Sequence, residues 1–133
     1  MSEIERFNSG RVLPRSLPFS EGTAVGGLVF LSGQLGNVPG TLTLVEGGIA
    51  AETRQALTNI RTVLEAQGLG LDHLLRCTVM LADIAEWPAF NAVYSEFFTD
   101  LPMPARSAFG CSGLALGARV EIECTAARWF TAK

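Results

Sequence analysis

Between Ile49 and Leu81 the hydrophobic period of the chain changes, and this change restricts the fold more than any other feature. From Ile49 to Gly68, Ile49, Ala56, Leu57, Ile60, Val63 and Leu64 recur at three- and four-residue spacing. Glu52, Arg54, Gln55 and Arg61 fall mostly on the other side. A helix with one apolar stripe needs a flat apolar partner, and Gly68 supplies its stop. In "HLLRCTVML" (73–81) the period drops to two, with Leu75, Cys77, Val79 and Leu81 on one face and Arg76, Thr78 and Met80 on the other. That is a strand with one covered face.

The C-terminal stretch "ARVEIECTAARWF" (118–130) repeats the alternation over a greater length. Val120, Ile122, Cys124 and Ala126 turn toward the helices, while Glu121, Glu123 and Thr125 point away with Arg119. "LVFLSGQ" (28–34) is different: a continuous apolar run closed by Ser-Gly, which predicts a strand buried on both faces. "EIERFNS" forms a short edge strand, and "LPRSLPFSEGTAVGG" reads as loop or irregular edge strand. A loop with a short extended piece around Leu42–Val45 precedes the first helix. A second helix starts near Asp83, an N-cap candidate with Glu86 three residues on. Its stripe is Trp87, Phe90, Tyr94 and Phe97 or Phe98, and Pro102 and Pro104 close it. The order ββ-α-β-α-ββ predicts an α+β, two-layer sandwich, a mixed sheet with two helices on one face. A far face that mixes polar and apolar groups favours contact with another subunit over solvent.

Composition narrows the function classes. The 133 residues suit a single domain, 1–133, with a real core. Apolar residues at 48% and charged residues at 17% argue against disorder. No apolar run approaches a membrane span, and "MSEIERFNSG" lacks the apolar core of a secretory signal. Cys77, Cys111 and Cys124 are odd in number and lack CxxC spacing, which predicts free thiols and a cytoplasmic location. A net charge of −3 with scattered basic residues gives nucleic acid little to bind. No nucleotide-binding, zinc-protease or Cys/His metal spacing occurs, so neither metal nor cofactor is expected. The lone His73 reads as a surface or capping residue, and Cys77 and Cys124 as inert core thiols.

Four features remain for chemistry: Arg106, Glu121, Asn91 and the Ser32-Gly33 strand end. Taken singly, each has a plain alternative. Ser32 reads equally as the end of a strand, Asn91 as a backbone-bonding side chain, Glu121 as a solvated group and Arg106 as its ion-pair partner.

As a set they resemble the Rid/YjgF family. The anchors are "FLSGQLG" (30–36), the stretch from "AAETRQ" to "YSEFF" (50–98), "PARSAFG" (104–110) and "VEIECTA" (120–126). The resemblance implies a chorismate mutase-like subunit in a homotrimer, with helices outside, sheets forming a barrel-like centre and a cleft at each subunit interface. It also implies hydrolysis of enamines and imines derived from amino acids to 2-keto acids and ammonia. Carried over, Arg106 clamps the substrate carboxylate and Glu121 orients and deprotonates the attacking water. Ser32 and Gly33 line the pocket near the imine, and Asn91 supports. Ala108 stands where many members have cysteine, and Phe19 where many have tyrosine. Both departures imply a divergent subgroup with a more apolar pocket. The competing expectations are a non-catalytic carboxylate-binding or regulatory trimer and, less favoured by the charge, an endoribonuclease.

Overall fold

The computed structural model describes residues 3–129. The strands are β1 (Glu5–Phe7), β2 (Gly22–Val25), β3 (Leu28–Gln34), β4 (Leu74–Leu81), β5 (Ala105–Gly110) and β6 (Val120–Ala127). The helices are α1 (Gly48–Ala66) and α2 (Trp87–Phe97). The six strands form one sheet in the order β1-β2-β3-β6-β4-β5. Only the β4–β5 pair is parallel, as expected for a crossover through α2. The mixed α+β reading therefore holds, with one strand added. β2, placed in a loop or at an edge by its glycines, pairs with both β1 and β3, and Gly26 at φ 56 makes the hairpin turn into β3. The far end of the expected C-terminal strand, Phe130, lies outside the described residues.

One face of the sheet carries the core. Leu57, Ile60, Val63 and Leu64 of α1 and Phe90 of α2 are fully buried with Val79, Leu81, Val120 and Ile122 of the sheet. Each such side chain removed from water contributes roughly 1.5–3 kcal/mol before entropy. Cys77 and Cys124 sit in this layer as cross-strand partners, their Sγ atoms 3.3 Å apart. Among the described residues no helix is long and apolar enough to cross a membrane.

Three local expectations change. β3 is not buried on both faces: Val29 and Leu31 are buried, whereas Leu28 and Phe30 are each 42% exposed on the far face. In β4, Leu74 takes the buried position and Leu75 is exposed, because the register with β6 shifts between Leu74 and Arg76. Such an irregularity exchanges the faces of adjacent residues. Glu52 is buried rather than solvated: Oε1 accepts the backbone N–H of Arg119 at 2.9 Å, tying α1 to the residue that precedes β6. Asp83 caps a 3-10 turn (Ile84–Glu86) ahead of α2, accepting from the N–H of Ala85, while Glu86 pairs with Arg119. His73 has the expected capping role, with Nδ1 accepting from the N–H of Gly70.

Candidate functional site

The alternation that builds the sheet also decides which side each candidate faces. β6 pairs Glu121 with Met80, Glu123 with Thr78 and Cys124 with Cys77. β5 in turn pairs Arg106 with Cys77 and Ala108 with Val79. Paired residues share a face, so Glu121 lies on the open face and Arg106 on the helix side. Within one chain they stand on opposite sides of the sheet. Within the chain Arg106 is therefore not the ion-pair partner of Glu121.

Arg106 is half-buried at the outer edge of the sheet, under α2. Its Nη2 donates to Asn91 Oδ1 at 2.7 Å. Its guanidinium carbon lies 4.7 Å from the ring centre of Tyr94, 5.4 Å from Phe90 and 5.9 Å from Trp87. The aromatic stripe of α2 thus serves twice, as core through Phe90 and Tyr94 and as a cation-holding wall. Among the described residues no carboxylate pairs with Arg106. A neutral amide and aromatic faces hold this cation in place without neutralising it. The open side of this group is a cleft lined by Trp87, Asn91, Tyr94, Met103, Pro104 and Arg106. Ala108, two residues along the same face, is half-buried and packs against the core.

The second cluster gathers on the open face around Glu121. Phe19, Ser32, Gly33, Glu121 and Glu123 line one cavity. Ser32 and Gly33 do not end β3. The strand runs on to Gln34, and its register against β6 shifts between Leu31 and Gln34, so two steps on β6 face three on β3. This is a bulge, a device that re-aims backbone beside sites. A β-carbon built on Gly33 would lie 2.0 Å from Glu121 Oε2, so glycine is what lets the carboxylate fold across the strand. Ser32 is a clamp: its hydroxyl donates to the Ser20 carbonyl at 2.6 Å and its N–H to the Glu21 carbonyl at 2.9 Å. Glu21, only 2% exposed, accepts from the N–H and hydroxyl of Ser9, and its own N–H donates to Asn8 Oδ1. These bonds fasten the loop that carries Phe19, a residue that is 49% exposed. Burial raises the Glu121 carboxyl above the ordinary glutamate value, and the neighbouring Glu123 carboxylate adds to the rise.

The seven candidate positions thus fall into two clusters, Arg106, Asn91 and Ala108 under α2, and Phe19, Ser32, Gly33 and Glu121 on the open face. Residue patterns missed the aromatic holders Trp87 and Tyr94, which read as core stripe, and Glu123, which read only as a polar strand residue.

Comparison with known proteins places this arrangement. A family profile described as Endoribonuclease L-PSP matches residues 12–128. A 2-iminobutanoate/2-iminopropanoate deaminase of Capra hircus is 40% identical over 126 residues, 94% of this chain and 91% of the relative. YyfA of Yersinia pestis, described as a protein of unknown function of the conserved Rid protein family, superposes with a TM-score of 0.89 at 32% identity, covering 94% of this chain and 99% of its own. The YjgF gene product of E. coli gives 0.86 at 29% identity, covering 94% and 99%. With the profile spanning residues 12–128 and a relative 40% identical over 94% of the chain, the protein belongs to the Rid/YjgF family.

Proposed function

We propose that the protein hydrolyses 2-imino acids, and their enamine tautomers, to 2-keto acids and ammonia at sites shared between subunits. The observation that carries this reading is the guanidinium of Arg106, oriented by Asn91 and Tyr94 and left without an acid among the described residues of its own chain. Its planar fork suits a carboxylate, with two parallel N–H···O bonds that a lysine does not reproduce. A catalytic carboxylate of raised pKa lies on the opposite face of the same sheet. The two halves meet only if the open face of one subunit abuts the outer edge of the next. Exposed Val25, Leu28, Phe30 and Phe109 give that edge and face apolar area to bury, which supports association. We read the assembly as a homotrimer of chorismate mutase-like subunits, with one cleft per interface.

The chemistry asks little beyond this. The protonated imine carbon is already electrophilic, so positioning, a held water and a proton relay suffice. Arg106 of the partner subunit holds the substrate carboxylate. Glu121 takes a proton from water as its oxygen bonds to C2, and the C=N π pair moves to nitrogen to give a carbinolamine. Glu121 then returns the proton to nitrogen. Glu121, again a carboxylate, accepts the hydroxyl proton as the C–N bond breaks, giving the 2-keto acid and ammonia. A carboxyl with a raised pKa suits these proton transfers. Ser32 and Gly33 shape the backbone beside the reacting carbon, Phe19 roofs it and Ala108 leaves room below Arg106.

The test is direct. Imines made in place from amino acids by an amino-acid oxidase are partitioned between the protein and a nucleophilic trap, with RNA as an alternative substrate in parallel. The expected result is trap adduct falling in proportion to protein and ammonia rising, with RNA intact. An unchanged adduct yield across several amino acids overturns the deaminase reading. One substitution checks the bulge: Gly33→Ala displaces a flexible carboxylate rather than backbone. It should therefore lower kcat by roughly tenfold or more, as misplacement of a reacting group does, with little change in the unfolding midpoint.

A further inference from the structure

Beside Glu121, on the same open face, lies a second cavity of about 280 Å³. It is built where three segments far apart in sequence converge: the N-terminal loop, the end of β3 with the loop after it, and the turn before β6. Its apolar walls are Leu13, Leu17, Phe19, Leu35, Leu42 and Leu116, and Glu121 is the single ionisable group that lines it. Leu42 and Leu116 are 46% and 49% exposed, so these walls are open rather than packed. The loop positions are held from below. Asn59 of α1 donates to the carbonyls of Leu35 and Asn37, and Asn37 donates to those of Val12 and Thr41.

Leu116 carries a second signal. Its φ of 61 makes it the one non-glycine residue in the left-handed region among the described residues. An L-residue pays for that conformation, and such outliers persist where the surroundings over-determine them, often at functional sites. Here the turn is closed by N–H bonds from Gly117 to Leu114 and from Ala118 to Ala115, and Arg119 is tied to Glu52. The fold thus holds a leucine over the cavity where glycine would be at ease.

We infer that this cavity receives the side chain of the substrate, and that the preferred 2-imino acid carries a large apolar side chain such as the isobutyl group of leucine. The inference rests on the deaminase reading for the reaction and on the cavity for the selectivity. At about 280 Å³ the cavity offers far more room than a methyl or ethyl group fills. A polar side chain would lose its water against leucine walls, whereas each added methylene gains. Leu116 is the specificity-determining residue, because its side chain is aimed by the strained turn.

Two measurements keep the reaction and the pocket separate. In the first, kcat/KM is compared for imines generated from leucine and from alanine. A preference for the leucine imine of about tenfold or more is expected, the discrimination typical of apolar pockets. In Leu116→Gly, which suits the backbone at φ 61 and so preserves the turn, that ratio should fall toward one. Equal rates in the parent protein, or an unchanged ratio in Leu116→Gly, overturn the inference while leaving the deaminase reading intact. In the second, calorimetry compares binding of 4-methyl-2-oxopentanoate with that of pyruvate. At least tenfold tighter binding of the larger keto acid without any imine turnover would remove the reaction and keep the pocket. Equal binding would mean that protein from the partner subunit covers the cavity, and the inference falls.

Discussion

On the proposed mechanism, Glu121→Gln is expected to lower imine hydrolysis by roughly 10²–10⁴-fold, the range over which general acid–base groups usually act, without altering assembly. Glutamine keeps the shape and loses the proton traffic. The pH dependence follows from the same side chain. Burial first, and the charge of Glu123 second, hold the Glu121 carboxyl above the ordinary glutamate value. The base must be ionised, so kcat should fall as pH drops through that raised value, with its acidic limb above the ordinary glutamate value. Glu123→Gln removes the repulsion and should move the limb down. A limb that stays put in Glu123→Gln, or full activity in Glu121→Gln, would show that another group handles the proton. Stability runs the opposite way. A carboxyl whose folded pKa lies above its unfolded value binds its proton better in the native state, so ionising it costs stability as pH rises through that window. Glu121→Gln is therefore expected to melt no lower than the parent at neutral pH. A site built for catalysis against the preference of its own fold behaves in this way.

The positions that were legible from the residues and those that were not differ in a physical way. β6 and α1 read correctly because burial on one side writes a period into the chain, and Glu121 could be placed on the open face from neighbours alone. β5 carries no such signal. "ARSAFG" has small residues on both faces, and its facing is set by its parallel register with β4, which pairs Arg106 with Cys77. Only the fold could show that Arg106 and Glu121 look in opposite directions. The bulge at Ser32-Gly33 did leave a trace, since a glycine inside a strand pattern marks close backbone approach or a bulge. Glu52 was misplaced because a carboxylate on a helix ordinarily faces water. Here the backbone N–H of Arg119, which donates to its carboxylate, gives it a reason to be buried. The leucine cavity was illegible for another reason: Leu13, Leu42 and Leu116 come from loops, and loops have no period.

The opposite facing of the two clusters makes the second large effect a matter of subunit arithmetic. On the proposed mechanism, Arg106→Ala removes a charge-assisted contact worth roughly 1.5–3 kcal/mol, an expected loss of about ten- to 150-fold in affinity for a carboxylate. It is expected to be nearly inactive at low substrate, as is Glu121→Gln for its own reason. If each site takes Glu121 from one subunit and Arg106 from the next, the two defects complement. When the variants are refolded together one to one, a quarter of the interfaces on average pair an intact Glu121 with an intact Arg106, so about a quarter of the parent activity returns. Arg106→Lys mixed with Glu121→Gln provides a control in which the aromatic wall keeps a cation to pack against. The fraction does not depend on the number of copies, so native mass decides separately whether there are three. A mixture no more active than the mean of its two parents would place Arg106 and Glu121 in separate sites. In that case the cation under α2 would bind a ligand on which Glu121 never acts.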